Sequence, residues 1–261
     1  MSEPSASSPT TKKCFIAYLD LLGSKDKIGD PKSLDDIHTI YRDALGKLEN
    51  FPVDDIPKLH VKIFSDNILI FIEVNPDYKE SLSELDYLLH FVTYFQLCAL
   101  THAAWLSRGC ITMGELYVDT TDNIFVWGKG LVHAYELESN IAIYPRVIID
   151  RQNAELSSRL ALLDSIDPSS AINTVTDSDG CEFLSFEDIS SSNSEDERLS
   201  GLKDRYNWLI DNYLKKQFPN PKIQQKIHWI VNYHNYVCTK KKYPKYMVDV
   251  SLLLKGVNNG E

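Results

Sequence analysis

The chain has 261 residues, of which 43% are hydrophobic and 25% are charged, and this length allows one large domain or two small ones. Asp and Glu total 37 against 27 Lys and Arg, giving a formal net charge of −10, which disfavours binding to nucleic acid or to an anionic membrane. A phosphorylated ligand would therefore need a metal ion, backbone amides or a few well-placed cations. The five Cys residues are scattered without a C-x-x-C pair, which argues against a zinc ribbon or a disulfide framework. Buried, reduced thiols in a cytoplasmic protein are the simpler interpretation.

The N-terminal segment is predicted to contain a tail, a buried strand and a helix. Residues 1–11 are rich in Ser and Pro without an apolar run, which predicts a disordered tail and no signal peptide. Residues 13–22 (KCFIAYLDLL) form an apolar run of strand length with Asp20 near its end. A helix is predicted to begin near Pro31, with Ser33 and Asp36 as a variant of the capping box.

The segment 58–74 predicts a β-hairpin. Two apolar runs, 59–64 and 68–74, flank Ser65-Asp66-Asn67, whose residues favour turns. Asp66 is therefore predicted at the tip of a hairpin between two buried strands.

The rest of the chain alternates between helical and strand patterns. In chain order we predict a helix at 81–107, strands at 109–118 and 124–127, a helix at 128–143, a strand at 145–150, a helix at 151–163, a loop at 164–180, a strand at 181–186, and helices at 198–218 and 221–240. This order indicates an α+β fold, a ferredoxin-like, palm-type sheet with helices on one face. Residues 12–150 form the predicted core, and 151–261 a mainly helical extension of the same domain.

Asp20 and Asp66 are the candidate functional residues. A carboxylate at the end of an apolar strand is costly unless it is paired, hydrogen-bonded or coordinated. In a β-α-β-β layout the first strand and the hairpin are neighbours, so both carboxylates could converge at one edge of the sheet. Two carboxylates with backbone carbonyls suit Mg²⁺ or Mn²⁺, and two such ions could activate a hydroxyl and hold a phosphate chain. One helix-capping and one turn-forming aspartate remain an open alternative.

Four segments carry motifs in a definite order: 15–25 (FIAYLDLLGSK), 62–66 (KIFSD), 108–115 (RGCITMGE) and 127–139 (WGKGLVHAYELES). They resemble, in turn, the first strand and turn, the Lys-x-x-Gly-Asp metal hairpin, the Arg-x-Gly-Ile-x-x-Gly strand and the Gly-x-x-Val-Asn-x-Ala-x-Arg-x-Glu helix of class III nucleotidyl cyclases. Ser65 stands where the family's hairpin has Gly. The resemblance implies that 12–150 is a cyclase catalytic core.

The fourth motif departs from that family. Val132 replaces the family's Asn and Glu136 replaces its transition-state Arg, while Ala134 and Glu138 are kept. A divergent branch of that family, the bacterial pyrimidine cyclases of Pycsar anti-phage defence, resembles this chain more closely. The similar segments are the fourth-motif helix, YPRVIID before residue 151 and WIVNYHN after residue 228. The branch implies conversion of UTP, with CTP as the second choice, to a cyclic nucleotide and pyrophosphate. It also implies a head-to-tail homodimer with composite active sites and an effector that is reached through the product.

The resemblance implies roles for particular residues. Asp20 and Asp66 would hold two Mn²⁺ or Mg²⁺ ions, with the Leu21 carbonyl as a further ligand. The backbone amides of Leu21, Leu22, Gly23 and Ser24 would cradle the phosphates, since glycine permits close approach.

Three cations near these motifs have alternative interpretations. Lys62 would contact the base of the nucleotide or would be an edge-strand lysine with its stem on apolar surface. Arg108 would offset charge on the leaving pyrophosphate in place of the missing helix arginine, or would pair with an acidic neighbour. Arg146 could offset the pyrophosphate charge instead of Arg108, or it could likewise pair with an acidic neighbour.

Other conspicuous residues are interpreted as structural. His133, His228 and His234 lack the spacing of a metal site, and the aromatic stripe of the closing helices is typical of core or dimer contacts (Tyr206, Trp208, Tyr213, Trp229 and Tyr233). An alternative function also stays open: a catalytically degenerate cyclase fold that binds a nucleotide and signals, for which the replacements at Val132 and Glu136 are the motive.

Overall fold

The computed structural model describes residues 10–22, 29–49, 51, 56–118, 125–166, 172–189, 194–214, 220–251 and 253. The strands are β1 (Lys12–Leu22), β2 (His60–Phe64), β3 (Asn67–Glu73), β4 (Leu106–Val118), β5 (Val126–Trp127), β6 (Val147–Ile149), β7 (Thr174–Thr176) and β8 (Glu182–Leu184). The helices are α1 (Pro31–Gly46), α2 (Tyr78–Ala103), α3 (Lys129–Asn140), α4 (Ala154–Ile166), α5 (Glu195–Leu214) and α6 (Pro221–Lys240), followed by a 3₁₀ turn (Pro244–Tyr246).

The strands form one eight-stranded sheet in the order β2-β3-β1-β4-β6-β8-β7, with β5 paired to β4 off this path. β3 lies between β1 and β2 and is antiparallel to both, and β4 is antiparallel to β1 on its other side. This is the ferredoxin-like arrangement of a β-α-β-β-α-β unit, so the predicted α+β class is confirmed. β6 then joins β4 in parallel, and β8 and β7 extend the sheet further.

Helices cover both faces of the sheet, whereas the sequence predicted them on one. Alternate residues of β1 point to opposite sides: Phe15 and Leu19 belong to a core with α1, α2 and α4, and Cys14 and Ile16 to a core with α3, α5 and α6. The apolar strands are continuous runs, and such strands are typical of sheets buried on both faces. The C-terminal helices, predicted as an appendage, therefore supply part of the second core.

Several predicted boundaries are wrong by a few residues. The N-cap of α1 is Asp30, whose side chain accepts a hydrogen bond from the Lys32 amide, and not the predicted Ser33 box. α2 ends at Ala103, earlier than predicted, because Ala104 adopts a left-handed conformation. β4 begins at Leu106, three residues before the predicted start of this strand. β7 lies inside a segment that was predicted to be loop.

α3 packs unusually close to β4 through two glycines. A Cβ on Gly114 would lie 2.7 Å from the Cα of Gly130, and a Cβ on Gly130 would lie 2.6 Å from the Cδ1 of Ile16. Only residues without a Cβ fit this crossing. The contact fixes the position of α3, and with it the residues that α3 carries toward the sheet.

A buried hydrogen-bond network attaches the C-terminal helices to the sheet. His234 Nδ1 donates to Glu187 Oε2 at 2.7 Å and His234 Nε2 donates to the Tyr246 carbonyl at 3.0 Å. The Tyr206 hydroxyl also donates to Glu187. Burial by itself lowers the pKa of His234, but the charge of Glu187 and the hydrogen bonds outweigh burial and raise it to about 10.

Within the described part of the chain, no helix is both long enough and apolar enough to cross a bilayer. Four of the cysteines, Cys14, Cys98, Cys110 and Cys238, are buried as free thiols, as predicted, while Cys181 is half-buried.

Candidate active site

Strand register brings Asp20 and Asp66 to the same end of the sheet. Asp20 lies near the end of β1, opposite Asn67 of β3, and Asp66 precedes Asn67 in the hairpin turn. The Leu21 amide donates to the carbonyl oxygen of Asp66 at 2.9 Å. The prediction that the first strand and the hairpin are sheet neighbours is therefore confirmed, with Asp66 at the tip.

The hairpin turn depends on Ser65, which has a φ of 61°. This left-handed conformation is the one that glycine adopts most easily. Ser65 thus fulfils the backbone requirement of the position where the similar cyclase motif has Gly.

A hydrogen-bond chain runs from Tyr18 through Asn67 to Asp66. The Tyr18 hydroxyl donates to Asn67 Oδ1 at 3.0 Å, and Asn67 Nδ2 donates to Asp66 Oδ1 at 3.1 Å. Burial, followed by the charges of nearby acidic groups that include Asp20 and Asp66, raises the pKa of Tyr18 to about 12. Both carboxylates therefore lie near the Tyr18 ring. Tyr18 and Asp20 also share one face of β1, since residues two apart in a strand point the same way.

Arg108 on β4 bridges two acidic side chains. Its Nε donates to Asp20 Oδ2 at 2.9 Å, and its Nη2 lies 2.8 Å from Glu138 Oε1 of α3. Its Nη1 donates a long hydrogen bond of 3.5 Å to the Ala142 carbonyl. The structure thus shows the ion-pair alternative for Arg108, and a contact with pyrophosphate stays a prediction.

Glu138 and Lys226 complete this cluster. The Glu138 side chain is only 3% exposed; burial raises its pKa, and the charge of Arg108 opposes the rise. Burial and then the charge of Arg108 lower the pKa of Lys226 on α6, while Asp20 and Glu138 act to raise it. Lys226 therefore interacts electrostatically with Asp20, Arg108 and Glu138. Sequence patterns gave no signal for it, because α6 is far from these motifs along the chain.

The predicted phosphate cradle is corrected at one position. The Leu21 amide is occupied by the Asp66 carbonyl and so is not available to a phosphate. Leu22 ends β1, opposite Leu106. Gly23 and Ser24 lie outside the described residues.

Lys62 lies on the same sheet face as Asp20. It pairs with Leu69 on β3, and side chains directly opposite in a ladder share a face. Leu69 belongs to the same core as Tyr18. Two residues along β2, the Phe64 ring contacts Tyr18 at a centroid distance of 6.2 Å.

Arg146 lies in a different cluster. Its side chain is fully buried and pairs with Asp177 and Asp179 of the β7–β8 hairpin. Only its backbone adjoins the Arg108 strand, through a hydrogen bond from the Gly109 amide to the Arg146 carbonyl at 3.1 Å. The structure thus does not bring the Arg146 guanidinium together with Asp20 and Asp66.

The outer face of α3 has no cation at the positions of the motif. Val132 and Tyr135 are 57% and 54% exposed, and Glu136 is exposed beside them. His133 on this helix is hydrogen-bonded to Asp150 at 2.8 Å.

The chemistry of the oxygen donors at the hairpin fits a hard divalent cation that takes its remaining ligands from outside the protein. Among the described residues, no group of three or more His, Cys, Asp or Glu side chains could hold a metal ion by itself. Mg²⁺ is commonly held by one or two carboxylates, with water and substrate phosphates as the other ligands. Asp20 and Asp66 have that chemistry, and Asp20 Oδ1 is not the oxygen that Arg108 engages.

Comparison with known proteins gives structural likenesses at low sequence identity. No protein-family model matches the chain, and no curated protein sequence matches it. A monomeric guanylyl cyclase domain of the RhoGC fusion protein from the aquatic fungus Blastocladiella emersonii aligns with 68% of this chain and 98% of its own, at 11% identity and a TM-score of 0.44. The catalytic core of a rhodopsin-guanylyl cyclase with converted specificity, in complex with ATPalphaS, aligns with 67% of this chain and 96% of its own, at 12% identity and a TM-score of 0.40.

Proposed function

We propose that this protein is a metal-dependent pyrimidine nucleotide cyclase that converts UTP, with CTP as the second choice, to the 3′,5′-cyclic nucleotide and pyrophosphate. The supporting observation is the backbone hydrogen bond from Leu21 to Asp66, which holds Asp20 and Asp66 together at one end of the sheet. The ordered cyclase-like motifs of the sequence support the same function.

Asp20 and Asp66 would hold Mn²⁺ or Mg²⁺, with the Leu21 carbonyl as a further ligand. Such ions make a ribose hydroxyl more acidic and neutralise triphosphate charge, which an acidic protein could not do alone. Arg108 fixes Asp20 through its Nε, and the Tyr18–Asn67 pair fixes Asp66. The protein's own contribution is thus two pre-oriented carboxylates, each with one oxygen engaged by a neighbour.

Positive charge beside this site comes from β2, β4 and α6. Lys62 lies on the same face as Asp20 and would meet a carbonyl oxygen of a pyrimidine ring. Arg108 and Lys226 place two further cations near Asp20. In this proposal they compensate for Glu136, which stands where related helices carry an arginine.

The proposal includes a homodimer with composite sites and a signalling role in anti-phage defence, with an effector that responds to the cyclic product. Exposed large apolar side chains on β2, β5 and α3 support the dimer. Trp127 is 78% exposed, and Val132, Tyr135 and Phe64 are exposed with it. Large exposed apolar patches usually mark an interaction surface.

A second candidate is a degenerate cyclase fold that binds a nucleotide without turnover. The observation that favours it is the outer face of α3, where Val132 and Glu136 offer no positive charge to a transition state. The chain would then signal by a change of conformation or assembly.

Incubation with each of the four ribonucleoside triphosphates and Mn²⁺, followed by mass spectrometry, tests the proposal. We expect cyclic UMP, or cyclic CMP in smaller amount, with release of pyrophosphate. Nucleotide-dependent thermal stabilisation without any product would favour the degenerate module. Formation of a cyclic purine nucleotide in preference would overturn the pyrimidine assignment.

A further inference from the structure

A cleft lies between α6 and the β7–β8 hairpin, on the side of the molecule that carries Arg146. Its volume is about 580 Å³, within the range of about 300–1,000 Å³ that is typical of small-molecule sites. None of its lining residues belongs to the cluster around Asp20 and Asp66.

Parallel aromatic rings form one wall of the cleft. The Tyr144 and Trp229 rings are stacked with centroids 5.6 Å apart, and the Trp229 and Tyr233 rings are stacked at 5.8 Å. Phe183 meets Trp229 edge-on at 5.4 Å. Offset-stacked and edge-on arrangements are those that aromatic pairs prefer, so the rings support one another and give the cleft a flat, apolar side.

Buried charges hold this wall in place. The Arg146 guanidinium lies 5.4 Å from the Tyr144 ring centroid and 5.6 Å from that of Trp229. Asp177 pairs with Arg146 and accepts a hydrogen bond from Trp229 Nε1 at 2.7 Å. Because Arg146 is fully buried, these contacts fix the Trp229 ring before any ligand arrives.

The exposed edge of the cleft presents an ordered donor and acceptor. Asn232 Nδ2 lies 3.3 Å from His228 Nδ1, and because an amide nitrogen can only donate, the imidazole nitrogen accepts in this contact. His228 Nε2 is then a donor, and Asn232 Oδ1 keeps acceptor capacity. Gln225, one turn earlier on α6, adds a second amide.

The charge of the lining excludes a phosphorylated ligand. The described lining residues include no Lys or Arg, and the acidic member, Asp177, already shares its charge with Arg146. A triphosphate would find no countercharge here. The chemistry therefore selects an uncharged, planar group with hydrogen-bonding edges.

We propose that this cleft binds the base of an uncharged nucleoside, stacked against the Tyr144–Trp229 wall and hydrogen-bonded along its edge by His228 and Asn232. The site is separate from Asp20 and Asp66 and does not depend on the proposed cyclase activity. Residues that the sequence indicated as structural, His228 and Trp229, become ligand contacts in this proposal.

Calorimetric titration of the full chain with uridine, cytidine, adenosine and guanosine tests the proposal. We expect saturable binding of at least one nucleoside, with a Kd at least tenfold higher in the His228→Ala/Asn232→Ala double variant, since two hydrogen bonds are lost. Both side chains are exposed on α6, so the variant should fold normally, and thermal unfolding verifies this. Asn212→Ala on α5, which removes a half-buried helical asparagine outside the cleft, is the control and should keep the wild-type Kd.

The Asp66→Ala variant separates the two sites. It should lose cyclase turnover while nucleoside affinity stays within twofold of the wild type. The proposal is overturned by the absence of saturable binding for all four nucleosides up to about 10 mM. It is equally overturned by an unchanged Kd in the double variant, or by binding that disappears in Asp66→Ala.

Discussion

The carboxylate of Asp66 can bind a ligand because its side chain contributes little to the stability of the fold. Its backbone carbonyl accepts from Leu21, but its side chain lies in a turn and is partly exposed. Changing the side chain alone leaves the Leu21–Asp66 backbone bond in place. Chemistry and folding can therefore be separated experimentally at this residue.

We expect Asp66→Ala to abolish cyclisation while the free energy of unfolding changes by less than about 0.5–1 kcal/mol, as for other turn substitutions. Activity with UTP and Mn²⁺ and urea denaturation are the two measurements. Asp35→Ala, on the exposed side of α1, is the control and should keep full activity. Full turnover in Asp66→Ala would refute the assignment of this carboxylate to the metals.

Arg108 has a structural role that can be measured independently of activity. Removing it breaks the ion pair between Arg108 and the buried Glu138 side chain, and breaking a buried ion pair costs about 3–5 kcal/mol. We expect Arg108→Met to destabilise the protein by about that amount, and Arg108→Met/Glu138→Met to recover part of it. Denaturant unfolding of the double-mutant cycle gives the coupling energy. Additive effects would show that Arg108 and Glu138 do not stabilise each other.

At the scale of elements, the crossing of α3 over β4 determines where Glu138 meets Arg108. Gly114→Ala would place a Cβ 2.7 Å from the Gly130 Cα, so the helix must move. We expect a loss of about 1–3 kcal/mol, the usual cost of overpacking, and lower activity.

Gly201 in α5 is the matched control for this prediction. A Cβ there meets nothing within 4 Å, so Gly201→Ala should stabilise the protein by about 0.4–1 kcal/mol. Thermal and urea unfolding measure the change in the free energy of unfolding for both variants. Equal effects of the two substitutions would contradict the close packing of α3.

Some elements follow from local sequence and others from contacts across the chain. The hairpin at Asp66 was predictable because its turn residues and flanking apolar runs are adjacent. The bounds of α6 were predicted correctly because Asn220 caps it and Pro221 begins it. β7 was missed because it has three residues and is stabilised only by pairing with β8.

The site shows the same division. The proximity of Asp20 and Asp66 could be predicted from the order of the strands. The interaction of Lys226 on α6 with Asp20 could not be predicted in this way. The contact between Arg146 and Asp177 was also beyond prediction, since it joins segments that have no shared local pattern. The continuous apolar strands indicate a sheet that is covered by helices on both faces. We predicted helices on one face because we relied on the alternating order of strands and helices.

At the scale of the whole molecule, the buried pair of His234 and Glu187 joins the C-terminal helices to the rest of the fold. The folded-state pKa of His234 is raised to about 10 from an ordinary value of 6.5. The folded protein therefore binds more protons than the unfolded chain between these values, and stability should fall as the pH rises through this window. Glu187→Gln should reduce this slope, as measured by urea unfolding at several pH values. An identical slope in the variant would contradict a charged His234.

Assembly is the second property of the whole molecule. We expect a dimer by light scattering, and a monomer for Trp127→Glu, because this change puts a charge on the exposed apolar surface. Ile166→Glu, which charges an exposed apolar side chain at the end of α4, is the control and should stay dimeric. A monomeric wild-type protein at micromolar concentration would contradict the proposed assembly.

The unbroken ladder between β1 and β4, which runs from Lys12 opposite Leu116 to Leu22 opposite Leu106, limits how this chain can change in length. Because side chains alternate along a strand, inserting one residue ahead of Asp20 would turn its carboxylate toward α1 and α2. An insertion of two would restore the side but carry the carboxylate past Asn67. Insertions and deletions compatible with activity must therefore fall outside the ladder, and a diverging copy that gains a residue inside β1 would lose its chemistry while keeping its apolar core.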